Sequence, residues 1–163
     1  GYGMNATFMQ VLKAYTAFNN NGRIVTPMLV KKLVSPLGQE MFPEKTPEQQ
    51  VVPPSVAKQI KKILIKTVHE GSGVGTKMQG LEVGGKTGTA HIVEDGEYVS
   101  VYNSSFFGFA NDQKNRYTIG VLVREAKKKK AYFASQSAVP VFKQVIEKLV
   151  ENGYLTPSVD VQN

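Results

Sequence analysis

Residues 80–90, GLEVGGKTGTA, concentrate a lysine, two threonines and several glycines in one short stretch. Two chemistries compete for it. In the first, Gly80, Gly85, Lys86 and Thr87 satisfy G-x-x-x-x-G-K-[ST], where loop N–H groups and a helix N-terminus cradle phosphate. In the second, Lys86-Thr87-Gly88 works from a strand beside an acylating serine. Such a site needs a cation, hydroxyls for a substrate carboxylate and N–H donors for an oxyanion.

Context separates the two. A phosphate loop requires a strand before its first glycine and a helix starting at the lysine. Gly80 instead follows the polar, glycine-rich EGSGVGTKMQ, and Lys86-Thr87 is followed by Gly-Thr-Ala-His-Ile-Val. A glycine and then β-branched residues make a poor helix start and a good strand. No apolar strand ending in aspartate follows to hold Mg²⁺; TIGVLV runs into Arg124 and Glu125. On a strand, residues i and i+2 face the same way, so Thr87 and Thr89 share a face. Gly88 between them removes bulk and permits close approach of a backbone. The bland reading of the triplet is a glycine-containing strand with a surface lysine.

Three strands are expected around this point: LEVGGKTGTAHIV, YNSSFFGFAN and RYTIGVLVRE, joined by turns at EDGE and NDQKN. Helices should position them. The first follows a cap at Asn5 or Thr7, shows Phe8, Val11, Leu12, Tyr15 and Phe18 at helical spacing, and stops at Asn19-Asn20-Asn21-Gly22. The second runs from Ser55 to about His69, with Ser55 as its cap and Val56, Ile60, Ile63, Leu64 and Val68 as its apolar face. The last carries Val141, Phe142, Val145, Ile146, Leu149 and Val150 and ends at Asn152-Gly153. Between the first two helices, residues 23–42 read as a hairpin outside the main sheet, turning at Ser35-Pro36-Leu37-Gly38, and TPEQQVVPP as a connecting loop. Helices, an antiparallel meander and a covering helix define an α+β fold. The tail from 156 to 163 reads as frayed.

Composition narrows the partners. The 163 residues carry 20 Lys+Arg against 13 Asp+Glu, a net charge of +7, which favours anionic surfaces. Part of the excess is the run Lys127–Lys130. Its bland reading is a solvated loop; its functional one is steering of anionic glycan or lipid, which predicts salt-sensitive association that replacing all four lysines with Gln abolishes. Aromatic and basic residues are not interleaved as in single-strand nucleic-acid binders, so no nucleic acid is expected. The absence of cysteine excludes disulfides, zinc–thiolate sites and a cysteine nucleophile. The two histidines, His69 and His91, are too separated to suggest a metal site, and no cofactor is expected. His91 reads as an exposed strand residue without a role, and His69 as a dipole-favoured residue near a helix C-terminus. No apolar run approaches the roughly 20 residues of a membrane span, and no signal peptide opens the chain, so any anchor lies outside the sequence shown.

In combination, VGGKTGTA, SSFFGFA, GYGMNATFMQVLKAYTAFNNNGRIVTP and AVPVFKQVIEKL resemble, in order and spacing, the closing part of the transpeptidase domain of penicillin-binding proteins. The resemblance covers nearly the whole chain, residues 1–155, and lies closest to the class B, monofunctional group, nearer the cell-division than the elongation type. It implies the penicillin-binding and serine β-lactamase fold and D,D-transpeptidation, the cross-linking of peptidoglycan stem peptides ending in D-Ala-D-Ala, with β-lactams as acylating inhibitors. It also implies an extracytoplasmic, inner-membrane-anchored protein whose partners are divisome or elongasome membrane proteins. By resemblance, Lys86 supplies positive charge, and the Thr87 and Thr89 hydroxyls bind the terminal carboxylate. Gly88 permits close approach, and the Thr89 N–H is half of the oxyanion hole.

The family pairs K-[ST]-G with S-x-x-K and S-x-N. S-x-N does not occur in this sequence, and S-x-x-K occurs once, at Ser55–Lys58. The family places its nucleophile upstream of the helix that opens this chain, so Ser55 is read as a helix cap. The nucleophile is then expected in the upstream half of the same domain, and the chain alone should be inactive. The family's glycine pair before the last helix is replaced by Ala134-Ser135-Gln136-Ser137. A non-catalytic, penicillin-recognising sensor or interaction module is the alternative, and a serine β-lactamase a more distant one.

Overall fold

The computed structural model describes residues 5–94, 97–127 and 132–159. Its centre is an antiparallel sheet in the order β5-β6-β7, formed by Glu82–Glu94, Glu97–Asn111 and Arg116–Lys127. The meander expected from the sequence is therefore present, with strands longer than their apolar cores. β5 and β6 pair from Glu82↔Asn111 to Glu94↔Glu97. The second turn is fixed by Asp112, whose Oδ1 accepts from the N–H groups of Lys114 (2.7 Å) and Asn115 (2.5 Å).

Register sorts the side chains into two faces. Val83, Gly85, Thr87 and Thr89 share one with Ala110, Gly108, Phe106 and Ser104. Here α3, Ala138–Glu151, covers the sheet, burying Val139, Phe142 and Ile146. Phe106 and Phe142, both fully buried, meet edge-to-face at 4.5 Å. The other face receives α1, Phe8–Asn19, whose Phe8 and Tyr15 stack on Phe107 at 5.3 and 5.7 Å. It also receives α2, Pro54–Glu70, whose Lys61 lies 5.2 Å over the Phe109 ring. Helices on both faces of an antiparallel sheet give the expected α+β class.

The helix ends differ from one another. Thr7 caps α1 in a capping box: its Oγ1 accepts from Gln10 N–H, and Gln10 Oε1 accepts from Thr7 N–H. For α2 the expectation fails. Pro53 is the cap residue, Pro54 opens the helix, and no side chain caps it. Two prolines make that possible, since a first-turn proline lacks the N–H that a cap would satisfy. The buried stripe of α2 is Ala57, Leu64 and Val68, whereas Ile63 is 62% exposed. On α3, Val141 and Val145 are likewise exposed. Helical spacing marks apolar positions but not the width of the face that the sheet covers.

A buried amide pair ties α1 to the sheet. Asn19 Nδ2 donates to Asn111 Oδ1 (3.0 Å), and Asn111 Nδ2 donates to Asn19 Oδ1 (2.7 Å) and Glu82 Oε1 (2.9 Å). Lys61 completes the chain to α2 by pairing with Glu82 at 2.5 Å. Burial works against the Glu82 carboxylate, but the hydrogen bonds from Lys61 and Asn111 outweigh it and its pKa is lowered.

The segment after α1 holds two small sheets. β1 (Arg23–Ile24) pairs with β4 (Gln49–Gln50), so TPEQQVVPP is not only a loop. β2 (Leu33–Val34) and β3 (Glu40–Met41) make the expected hairpin outside the main sheet. The tail expected to fray from 156 is instead docked through 158. Leu155 is buried, Thr156 N–H donates to Asp112 Oδ2 (2.8 Å), and Ser158 N–H donates to Gly80 O (2.9 Å). The lysine run begins at the last residue of β7, and Lys128–Lys130 lie outside the described residues. No helix among the described residues is long and apolar enough to cross a membrane.

Candidate active site

Lys86, Thr87, Gly88 and Thr89 lie together in the middle of β5, an edge strand of the sheet. A strand at Lys86 removes the phosphate-loop geometry, which needs a helix there. Gly80 has a different task. At φ +76° it turns the chain into β5, and a Cβ would collide with the backbone of Ser158, which pairs with it.

The orientation of the edge follows from two bonds. Thr67 Oγ1, on α2, donates to Gly85 O, and Lys86 Nζ donates to Thr87 O at 3.0 Å. Both carbonyls therefore point away from β6. Because the pleat repeats every second residue, the N–H and C=O groups of Thr87 and Thr89 also face the outer edge.

The side chains complete the arrangement. Thr87 and Thr89 share the α3 face of β5, as their spacing required. Lys86 is exposed and starts from the opposite face, but its Nζ reaches back over the edge to 3.3 Å from Thr87 Oγ1. Thr89 Oγ1 accepts from the N–H of Ala134 at 3.3 Å. A strand edge with a cation, two hydroxyls and outward N–H groups can receive a carboxylate and polarise a neighbouring carbonyl.

The glycines around the triplet have in-chain reasons. A Cβ on Gly84 would sit 2.5 Å from the Phe109 ring and 3.0 Å from Ile65 N, so α2 approaches β5 directly over it. A Cβ on Gly88 would meet only Ser105 Oγ, at 2.7 Å, on the face opposite the hydroxyls.

Several neighbours escaped sequence reasoning. Ser72 Oγ lies 2.7 Å from Thr87 Oγ1. Its stretch reads as flexible with room for one helical turn, and it does contain a 3-10 turn at Val74–Thr76, with Thr76 fully buried. A hydroxyl between two glycines in that stretch was the available signal. Tyr102, Tyr132 and Phe133 form a run of ring contacts at 4.2 and 4.1 Å beside Ala134. His91 joins it, 4.4 Å from Tyr102 and with Nδ1 3.2 Å from Val99 O, so it is not the idle exposed residue expected. The loop lacking the glycine pair is held by Ser104, which donates to Tyr132 O, and alanine at 134 is buried there. Ser55 stands at the start of α2 and Lys86 in mid-sheet, so the lone S-x-x-K sequence takes no part in the arrangement around Thr87. Among the described residues, no group of three His, Asp or Glu side chains could hold a metal.

The sheet edge bearing K-T-G-T thus lies between helices packed on both faces of the sheet. The sequence matches the family described as penicillin binding protein transpeptidase domain over residues 1–147, and the chain belongs to that family. Its relatives are class B proteins. It is 27% identical, over all of its length and 38% of the relative's, to probable peptidoglycan D,D-transpeptidase PenA of Neisseria flavescens. It is 36% identical to stage V sporulation protein D of Bacillus subtilis, over 68% of this chain and 18% of that one. Penicillin-binding protein 3 of Mycobacterium tuberculosis superposes with a TM-score of 0.81 at 26% identity, covering 98% of this chain and 38% of that one. The chain thus spans well under half the length of these relatives.

Proposed function

We propose that this chain is the carboxylate-binding wall of a peptidoglycan D,D-transpeptidase that β-lactams acylate. The observation that carries the reading is the placement of Thr87 and Thr89 on one face of an open strand edge, with the Lys86 ammonium reaching Thr87. In this reading the two hydroxyls and Lys86 hold the terminal carboxylate of a D-Ala-D-Ala stem peptide. That fixes the scissile carbonyl against the outward N–H of Thr89, where charge develops in the tetrahedral intermediate. The attacking serine, its lysine base and the S-x-N residues come from the upstream half of the domain. The serine oxygen displaces the terminal D-Ala, and an amine of a second stem peptide then displaces the serine to close the cross-link. The M. tuberculosis relative solved in complex with ampicillin supports β-lactams as ligands of this family.

We further propose, from the family resemblance, a cell-division setting, an extracytoplasmic location anchored to the inner membrane, and divisome membrane proteins as partners. Fractionation of the native host protein tests the location; recovery in the cytosol would overturn it.

The test of function is intact mass after incubation with a fluorescent penicillin. The 163-residue chain alone should form no covalent adduct. The polypeptide with its upstream half restored should form one adduct, on an upstream serine. An adduct on Ser55 would overturn this architecture. An adduct without cross-linking of stem peptides would favour a sensor.

A further inference from the structure

We infer that Ser72 is a positioning residue that sets the proton of Thr87 toward the incoming carboxylate. The inference rests on the reading of Thr87 as a carboxylate-binding hydroxyl.

A threonine hydroxyl has one proton and two lone pairs. Lys86 Nζ is a pure donor, and at 3.3 Å it occupies one lone pair of Thr87 Oγ1. Ser72 Oγ is the nearer partner, at 2.7 Å. If Ser72 donates as well, both lone pairs of Thr87 are filled and its proton must leave along the one remaining direction. Thr87 is then a committed donor, the state a carboxylate requires, since a carboxylate only accepts. Without a ligand the pair can reverse, with Thr87 donating to Ser72 and the exposed Ser72 hydroxyl turning its own proton to solvent. Only the two hydroxyl rotors change, and no proton transfer is needed.

The placement of Ser72 is built rather than incidental. The N–H groups of Gly71 and Gly73 both donate to Thr67 O, each at 3.1 Å, which clamps the loop on either side of Ser72. The Thr67 hydroxyl meanwhile donates to Gly85 O, two residues before Thr87 on the same edge. Gly73 fits close against the Phe106 ring and Val68, where a Cβ would lie at 3.2 Å from each. One threonine thus ties both the loop that carries Ser72 and the strand that carries Thr87. Ser72 itself is exposed, so packing gives no reason for its position.

The test uses the complete polypeptide, this chain with its upstream half, and compares acylation rates by a penicillin and by the same penicillin with its carboxylate esterified. Ser72→Ala should lower the rate with the free carboxylate roughly tenfold, the worth of one hydrogen bond serving a charged group. It should leave the slow reaction of the ester unchanged, and Ser72→Thr should restore the first rate. Equal loss on both compounds, no loss on either, or no rescue by threonine would overturn the role of Ser72 while leaving the proposed function standing. Failure of the unsubstituted polypeptide to acylate at all would overturn the proposed function, and the role of Ser72 with it.

Discussion

Thr87 and Thr89 are separable from the fold because both lie at the rim of the sheet rather than in its core. In the complete polypeptide, Thr87→Val and Thr89→Val should each lower penicillin acylation by about one to two orders of magnitude, the usual cost of a lost charge-assisted hydrogen bond in a site. Their melting temperatures should stay near that of the parent. The glycines give the opposite contrast. Gly108→Ala drives a Cβ into the backbone of Gly84 and Gly85, which cannot rotate away. Overpacking of that kind costs about 1–3 kcal/mol, and denaturant titration should show it. Gly88→Ala meets only a serine hydroxyl that can turn aside, so it should cost less than about 1 kcal/mol.

Each element is held by one or two specific contacts. Asn19→Ala would take the Asn19 donor from the buried Asn111 Oδ1, leaving the Asn111 side chain only its bond to Glu82, and loosen α1 from the sheet, at a cost of about 1–3 kcal/mol. Phe142→Ala removes the ring that seats α3 on Phe106 and should cost about 3–5 kcal/mol. Thermal unfolding checks both. The docked tail depends on pH. The N–H groups of Asn115, Thr156 and Lys114 hold the Asp112 carboxyl at about 2, below its ordinary 3.8. Because the folded value is the lower one, this contribution is complete above the ordinary value and is lost as pH falls through about 2. Protection of the Thr156 amide, taken relative to its intrinsic exchange rate, should therefore fall between pH 4 and pH 2, roughly the interval those values span. Asp112→Asn should remove most of that acid dependence.

At the scale of the whole molecule, the sheet and the helices packed on it form one unit, and the segment from Met28 to Phe42 is exposed at nearly every residue. Leu29 and Leu37, at 86% and 89% exposure, make little contact with the rest of the chain. Replacing either with serine should change the stability of the isolated chain by no more than about 0.5 kcal/mol, measured by urea titration. A larger loss would mean that this segment packs on the body of the molecule.

The order of elements, the antiparallel meander and the mid-strand position of Lys86, Thr87 and Thr89 were legible in the sequence. Period-two alternation and turn residues are local signals, and a strand forces Thr87 and Thr89 onto one face whatever surrounds it. The first helix cap was legible as Asn5 or Thr7, and the capping box with Gln10 settled it on Thr7. What the sequence left undecided depends on groups far apart along the chain. The sheet, not helical spacing, decided that Leu64 is buried and Ile63 exposed. Asp112 and Gly80, distant in sequence, decided that the tail docks. The packing of α2 along the edge of β5 brought Ser72 to Thr87 and Thr67 to Gly85, because a hydroxyl in a glycine-rich loop has no preferred partner until the fold supplies one.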